Sequence, residues 1–145
     1  MRLSISINLA IYLGFGLPIA WIDLRTHRIP NRLSAALALG LIFTSLLSNF
    51  SLTSLSHPAE SALLLSGALL LLYLAIPGSI GAGDIKLAFS VGWFSYRSPA
   101  LITLAIAAIL GLAYGLLVAA RSGARSRYIP FAPFLLLAGL ASFWN

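Results

Sequence analysis

Residues 100–120 read ALITLAIAAILGLAYGLLVAA, a run without a single charged side chain. About 20 such residues suffice for a helix to cross the roughly 30 Å hydrocarbon core of a bilayer. Within lipid every backbone polar group must be satisfied internally, which leaves a helix or a closed barrel. The run shows no alternation of apolar and polar residues, so a helix is the expectation. Five further apolar runs lie at 5–22, 33–50, 61–77, 85–96 and 130–144. Between them fall turn-forming breaks, such as His27-Arg28-Ile29-Pro30-Asn31, Ser56-His57-Pro58 and Arg97-Ser98-Pro99.

Composition points the same way. Of the 145 residues, 60% are hydrophobic and 8% charged, and the mean hydropathy is +1.00. A soluble globule with so few charges has too little polar surface to cover itself. The expected fold is therefore all-α: a polytopic membrane protein in one domain, residues 1–145, with about six transmembrane helices. The fourth run is the shortest, and needs its flanks or a thinned bilayer to cross. An uncleaved first helix is expected, since Pro18 stands where a signal-peptide site after Ala20 would need a small residue.

Nine Lys+Arg against three acids give a net charge of +6. The basic residues sit in short clusters between the apolar runs, with no aromatic interleaving, so they read as topology signals and not as a nucleic-acid surface. Arg25, Arg28, Arg32, Lys86, Arg121, Arg125 and Arg127 flank the breaks after runs one, three and five, whereas only Arg2 and Arg97 lie on the other side. The positive-inside bias then puts the first group in the cytoplasm.

The three acids are Asp23, Glu60 and Asp84. Glu60 stands beside Pro58, and is expected to be a helix-start charge at the outer interface. Asp23 closes the first run and Asp84 opens the fourth, so both fall at the cytoplasmic end although far apart in sequence. Ionisable groups at membrane depth mark functional sites by default. Two carboxylates at one depth can share a proton, as an aspartic peptidase requires. The plainer alternatives are that Asp23 pairs with Arg25 or Arg28, and that Asp84 caps a helix. Gly81 and Gly83 around Ala82 are expected to let backbone approach closely and to leave a non-helical edge to which an extended peptide can add.

Other chemistry fails on inventory. With no cysteine, no HExxH and no partner at ligand spacing for His27 or His57, no metal is expected; no cofactor is expected either. Neither Gly-x-Ser-x-Gly nor Ser-x-x-Lys occurs. A non-catalytic assembly protein and a small proton pathway remain as other readings of the two aspartates.

Three segments together resemble the type IV prepilin peptidases. Trp21-Ile22-Asp23-Leu24-Arg25-Thr26-His27-Arg28-Ile29-Pro30-Asn31 is similar to their first aspartate motif. Gly81-Ala82-Gly83-Asp84-Ile85-Lys86-Leu87 is similar to their GxGDxKL motif, and Ile129-Pro130-Phe131-Ala132-Pro133-Phe134 to the segment opening their last helix. The resemblance implies a membrane aspartic endopeptidase that removes short basic leaders from pilin precursors at the cytoplasmic face of the cell membrane. It implies Asp23 and Asp84 as the catalytic pair. Gly81, Gly83, Lys86, Pro30, Asn31, Pro130 and Pro133 would shape the site, Lys86 orienting or balancing charge. The implied partners are prepilins or pilin-like proteins; the basic rim would face anionic lipid headgroups. Lacking cysteines and a comparable cytoplasmic insert, the chain resembles the short, peptidase-only branch without methyltransferase activity, similar to enzymes serving Flp-type pili.

The charge distribution makes a direct prediction. A reporter active only in the cytoplasm should work when fused after Arg32 or Arg125 and fail after Phe50; the opposite pattern would invert the topology.

Overall fold

In the computed structural model, residues 2–48, 52–76, 80–122 and 130–143 are described. They form six helices: α1 (Arg2–Thr26), α2 (Asn31–Ser48), α3 (Leu52–Ala75), α4 (Ala82–Phe94), α5 (Ala100–Ser122) and α6 (Ala132–Phe143). No strand occurs among the described residues. Each apolar run has thus become a helix. The basic residues Arg125 and Arg127, and Phe50, lie outside the described residues.

Two expectations change. Only α1 (Ser6–Thr26), α3 (Leu55–Ala75) and α5 (Ala100–Arg121) contain stretches long and apolar enough to cross a membrane, fewer than the six spans expected. At about 1.5 Å per residue, the 13 residues of α4 and the 12 of α6 extend only about 20 Å. Glu60 is not at a helix start either. The helix α3 begins at Leu52 and runs through Pro58, so Glu60 lies in its third turn. An interior proline loses the hydrogen bond of its missing N–H and crowds the carbonyl four residues back, yet helix precedes Pro58 here.

The helix boundaries follow from local chemistry. Helix α1 ends where His27 turns into the left-handed region, φ 51°, its N–H still donating to the Asp23 carbonyl at 2.8 Å. A left-handed residue just past the last turn is a common helix stop, and histidine is among the non-glycine residues that tolerate it. Pro30 disfavours helix at Ile29 and then offers its carbonyl to the N–H groups of Leu33 and Ser34, starting α2. Helix α4 closes on Ser95, whose N–H and hydroxyl both donate to the Val91 carbonyl.

Helix α4 is the centre of the packing. It contacts α2, α3 and α6, while α1 packs on α2 and α6, and α5 on α3 and α6. Leu87, Ala88, Val91, Trp93 and Phe94 are buried along it. Phe94 stacks between Tyr12 of α1 and Phe143 of α6, with ring centroids 3.8 Å and 4.5 Å away. Polar side chains tie the helices together across this apolar core. The Tyr12 hydroxyl donates to the Leu136 carbonyl at 3.0 Å, Trp93 Nε1 to Ser45 at 3.0 Å, and Thr103 to Ser142 at 2.8 Å. Thr44 of α2 donates to Asn8 of α1. Outside, leucines stand free of the protein: Leu39, Leu71 and Leu101 are each about two-thirds exposed. A surface so apolar is covered by lipid.

Gly92 sets the approach of α3 to α4. A Cβ there would lie 2.6 Å from the Ser61 carbonyl oxygen and 2.7 Å from the Ala62 Cα, both backbone atoms that cannot swing aside. Gly92→Ala should therefore cost about 2 kcal/mol by forcing the helices apart, read as a lowered thermal midpoint in detergent. Gly14→Ala, where nothing lies within 4 Å, should be neutral or mildly stabilising.

Candidate active site

Asp23 occupies the last turn of α1 and is only 5% exposed. Burying a carboxylate is costly unless it is hydrogen-bonded. Its Oδ2 accepts the N–H of Ala132 at 3.1 Å. Ala132 is the first residue of α6, so the carboxylate caps that helix from a distance of more than a hundred positions in sequence and meets the positive end of its dipole. Pro133 follows directly, where its missing N–H leaves no donor unsatisfied. Pro130, just before the helix, is buried and Pro133 partly buried. The proline-rich opening of α6 thereby supplies a single aimed amide to Asp23.

Asp84 sits in the first turn of α4, partly buried. Its Oδ2 accepts the N–H of Gly81 at 3.1 Å, while its own N–H donates to the Gly81 carbonyl at 3.0 Å. The carboxylate reaches back to cap its own helix, so the capping alternative holds for Asp84 in that limited sense. Asp23 and Asp84 lie within range of each other's charge. A like charge within reach opposes ionisation of a carboxylate. The arginine beside Asp23 is occupied elsewhere: the Arg25 guanidinium lies over the Trp21 ring, 4.3 Å from its centroid.

The expectation of non-helical backbone holds for Gly81, which is extended (φ −80°, ψ 146°), and not for Gly83, which is already helical. The first N–H groups of a helix have no acceptor within it, so the start of α4 still presents donors. Both glycines also act sterically. A Cβ on Gly81 would stand 3.1 Å from Asp84 Oδ2, against the carboxylate that its N–H holds. A Cβ on Gly83 would stand 2.9 Å from the Ile29 Cβ, so Gly83 lets the start of α4 lie against the α1–α2 turn.

That turn belongs to the same end of the bundle. Asn31 opens α2, and its Oδ1 accepts a hydrogen bond from Lys86 Nζ at 3.1 Å. Lys86 and Asn31 are exposed, and they join the two aspartate-bearing segments at the rim. Pro30 bonds only through its carbonyl, as described above. All seven motif residues besides the aspartates thus gather at this end, Lys86 by its bond to Asn31 and Pro130 by its place before α6. Two contributors escaped the reading of the sequence. Ala132 acts through its backbone N–H, which no side-chain motif reveals, and Ile29 through its bulk against Gly83; the signal for Ala132 was the proline pair around it. No cluster of three or more His, Cys, Asp or Glu able to hold a metal occurs among the described residues.

A family model described as the type IV leader peptidase family matches residues 10–116. That stretch contains both aspartates, the α1–α2 turn and the whole of α4. Neither a curated protein nor a solved structure matches the chain.

The steric account of Gly83 can be checked. Gly83→Val should abolish activity with the chain still inserted in the membrane, because the added side chain pushes α4 away from Ile29. Pairing it with Ile29→Gly, which removes the Cβ that the new side chain meets, should restore part of the loss. Rescue would follow from a clash and not from a backbone conformation that only glycine adopts; no rescue at all would refute the clash.

Proposed function

The chain belongs to the type IV leader peptidase family, and from that premise we propose that it is an aspartic endopeptidase acting through Asp23 and Asp84. The observation that carries the reading is the arrival of the two carboxylates at one end of the bundle, Asp23 from the last turn of α1 and Asp84 from the first turn of α4, with the Asp23 charge within reach of Asp84.

The chemistry follows from a pair that shares one proton. The ionised carboxylate takes a proton from water as the oxygen attacks the scissile carbonyl carbon. The protonated one gives its proton to the carbonyl oxygen, and a tetrahedral diol forms. The C–N bond then breaks: the leaving nitrogen receives the proton that came from water, and the diol hydroxyl returns its proton to the second carboxylate. One water is consumed, one acid and one amine are released, and the pair is back in its starting state. No metal or cofactor takes part.

The substrates are prepilins or pilin-like precursors, as for the family, with cleavage of the leader at the cytoplasmic face of the cell membrane. The basic residues around the aspartate end support that orientation. In this arrangement α1, α3 and α5 cross fully. Helices α2, α4 and α6 complete the multi-pass bundle with their flanks and a locally thinned bilayer. Methylation of the new N-terminus is not part of the proposed activity.

Asp23→Asn and Asp84→Asn keep size and hydrogen-bonding capacity but remove the shared proton. Each should reduce cleavage of a leader-bearing pilin precursor in liposomes by several orders of magnitude, and the double variant should be little worse than either single one. Asp84→Glu should fail too, since about 1 Å of misplacement can cost about 100-fold. The wild-type rate should depend on pH through two apparent pKa values that belong to the pair. Near-normal cleavage by Asp23→Asn would overturn the two-aspartate mechanism.

A further inference from the structure

At the end of the bundle away from the aspartates lies a polar cleft of 390 Å³. Helix α3 contributes His57, Glu60 and Ser61 to it, and the turn between α4 and α5 contributes Tyr96 and Arg97, with Leu64 and Pro99 as apolar wall. The mechanism uses none of these residues.

The cleft is built by features already described. The close approach at Gly92 presses the Ser61 segment of α3 against the last turns of α4. The α4–α5 turn is then pinned: Ser95 bonds the Val91 carbonyl through both N–H and hydroxyl, and Ser98 N–H donates to the Ser95 carbonyl at 3.0 Å. Ser95 and Ser98 are buried, so the turn holds Tyr96 and Arg97 outward on a fixed base, beside His57 and Glu60.

The charge pattern points to a ligand. One guanidinium and one carboxylate line the same space together with an imidazole and a phenol. An anion alone would oppose Glu60, and a cation alone would oppose Arg97. A molecule carrying both signs satisfies both.

We infer that this cleft binds the phosphoethanolamine headgroup of an aminophospholipid. The phosphate faces Arg97 and His57, and the primary ammonium faces Glu60. Arginine matches a phosphate with paired donors. Leu64 and Pro99 receive the start of the glycerol and acyl region, and Tyr96 stands at the interface depth that tyrosine favours. A choline headgroup fits less well, because its quaternary nitrogen has no N–H for Glu60 and the cleft offers one aromatic ring, not a cage. The site does not depend on the peptidase reading.

The test uses the full chain in detergent. Dihexanoyl phosphatidylethanolamine, the matching phosphatidylcholine and free phosphoethanolamine are each titrated, with binding read by native mass spectrometry and thermal shift. The phosphatidylethanolamine should bind more tightly than the phosphatidylcholine. Arg97→Ala should weaken it about tenfold, the loss of one charge-assisted contact. Glu60→Gln should abolish the preference between the two lipids while leaving Arg97-dependent binding. Stronger binding of the lipid than of free phosphoethanolamine supports a membrane lipid as occupant; binding of the free compound alone overturns that assignment in favour of a soluble zwitterion. Equal affinity for the two lipids in the wild type, or unchanged binding in both variants, overturns the site. Unaltered thermal midpoints of the ligand-free variants show that lost binding is not lost folding.

Discussion

A carboxylate buried at the end of a helix needs a donor aimed at it, and Asp23 finds one in the first N–H of α6. Much of the architecture is arranged around that one bond. Helix α6 has to begin level with the last turn of α1. The prolines flanking Ala132 limit where α6 can start. Stacking of Tyr12 on Phe94 and the bond from Tyr12 to the Leu136 carbonyl then hold α1 against α4 and α6 farther along. If α6 slid by one turn, about 5.4 Å, the amide would leave the carboxylate and the Tyr12 bond would break with it.

The second aspartate reaches the site by a different device. Helix α4 is 13 residues long and packs against α2, α3 and α6, and its first turn lies part-exposed at the end of the bundle. Asp84, partly buried there, comes within reach of the Asp23 charge. The glycines make this approach possible: Gly83 against Ile29 at one end of α4 and Gly92 against Ser61 and Ala62 at the other. Small residues at interhelical contacts are how membrane helices gain packing in the absence of a hydrophobic drive between them. Here they also set the depth of the catalytic candidate.

The legibility of this protein in its sequence has a physical pattern. All six helices could be read because lipid demands uncharged stretches, and such stretches are visible residue by residue. The aspartates could be read because charges are so scarce that each one needs a reason. Span length could not be judged as well, since α4 and α6 are covered by protein over part of their surface and need not match the bilayer alone. The start of α3 was misjudged because Pro58 looks like a helix opener, and only the folded chain has a turn before it. Close approach was legible at Gly83, but not the neighbour it approaches, Ile29, which is far away in sequence. Contacts of that kind, like Lys86 with Asn31 or Asp23 with Ala132, are set by how helices pack, and no local pattern encodes them.

The same packing bears on a tension in the charges. A basic rim is an awkward neighbour for a substrate whose leader is itself basic, as the family resemblance implies. At the rim, however, two cations are already engaged: Arg25 lies over Trp21, and Lys86 is held by Asn31. Exposed charges farther off are screened over about 8–10 Å of saline, whereas the two carboxylates act in a partly desolvated space where fields are stronger. Under the proposed function, a leader approaching the membrane meets a screened positive fringe first, and its attraction at short range comes from the aspartate pair. The arginines then remain available to anionic headgroups and to the orientation of the chain.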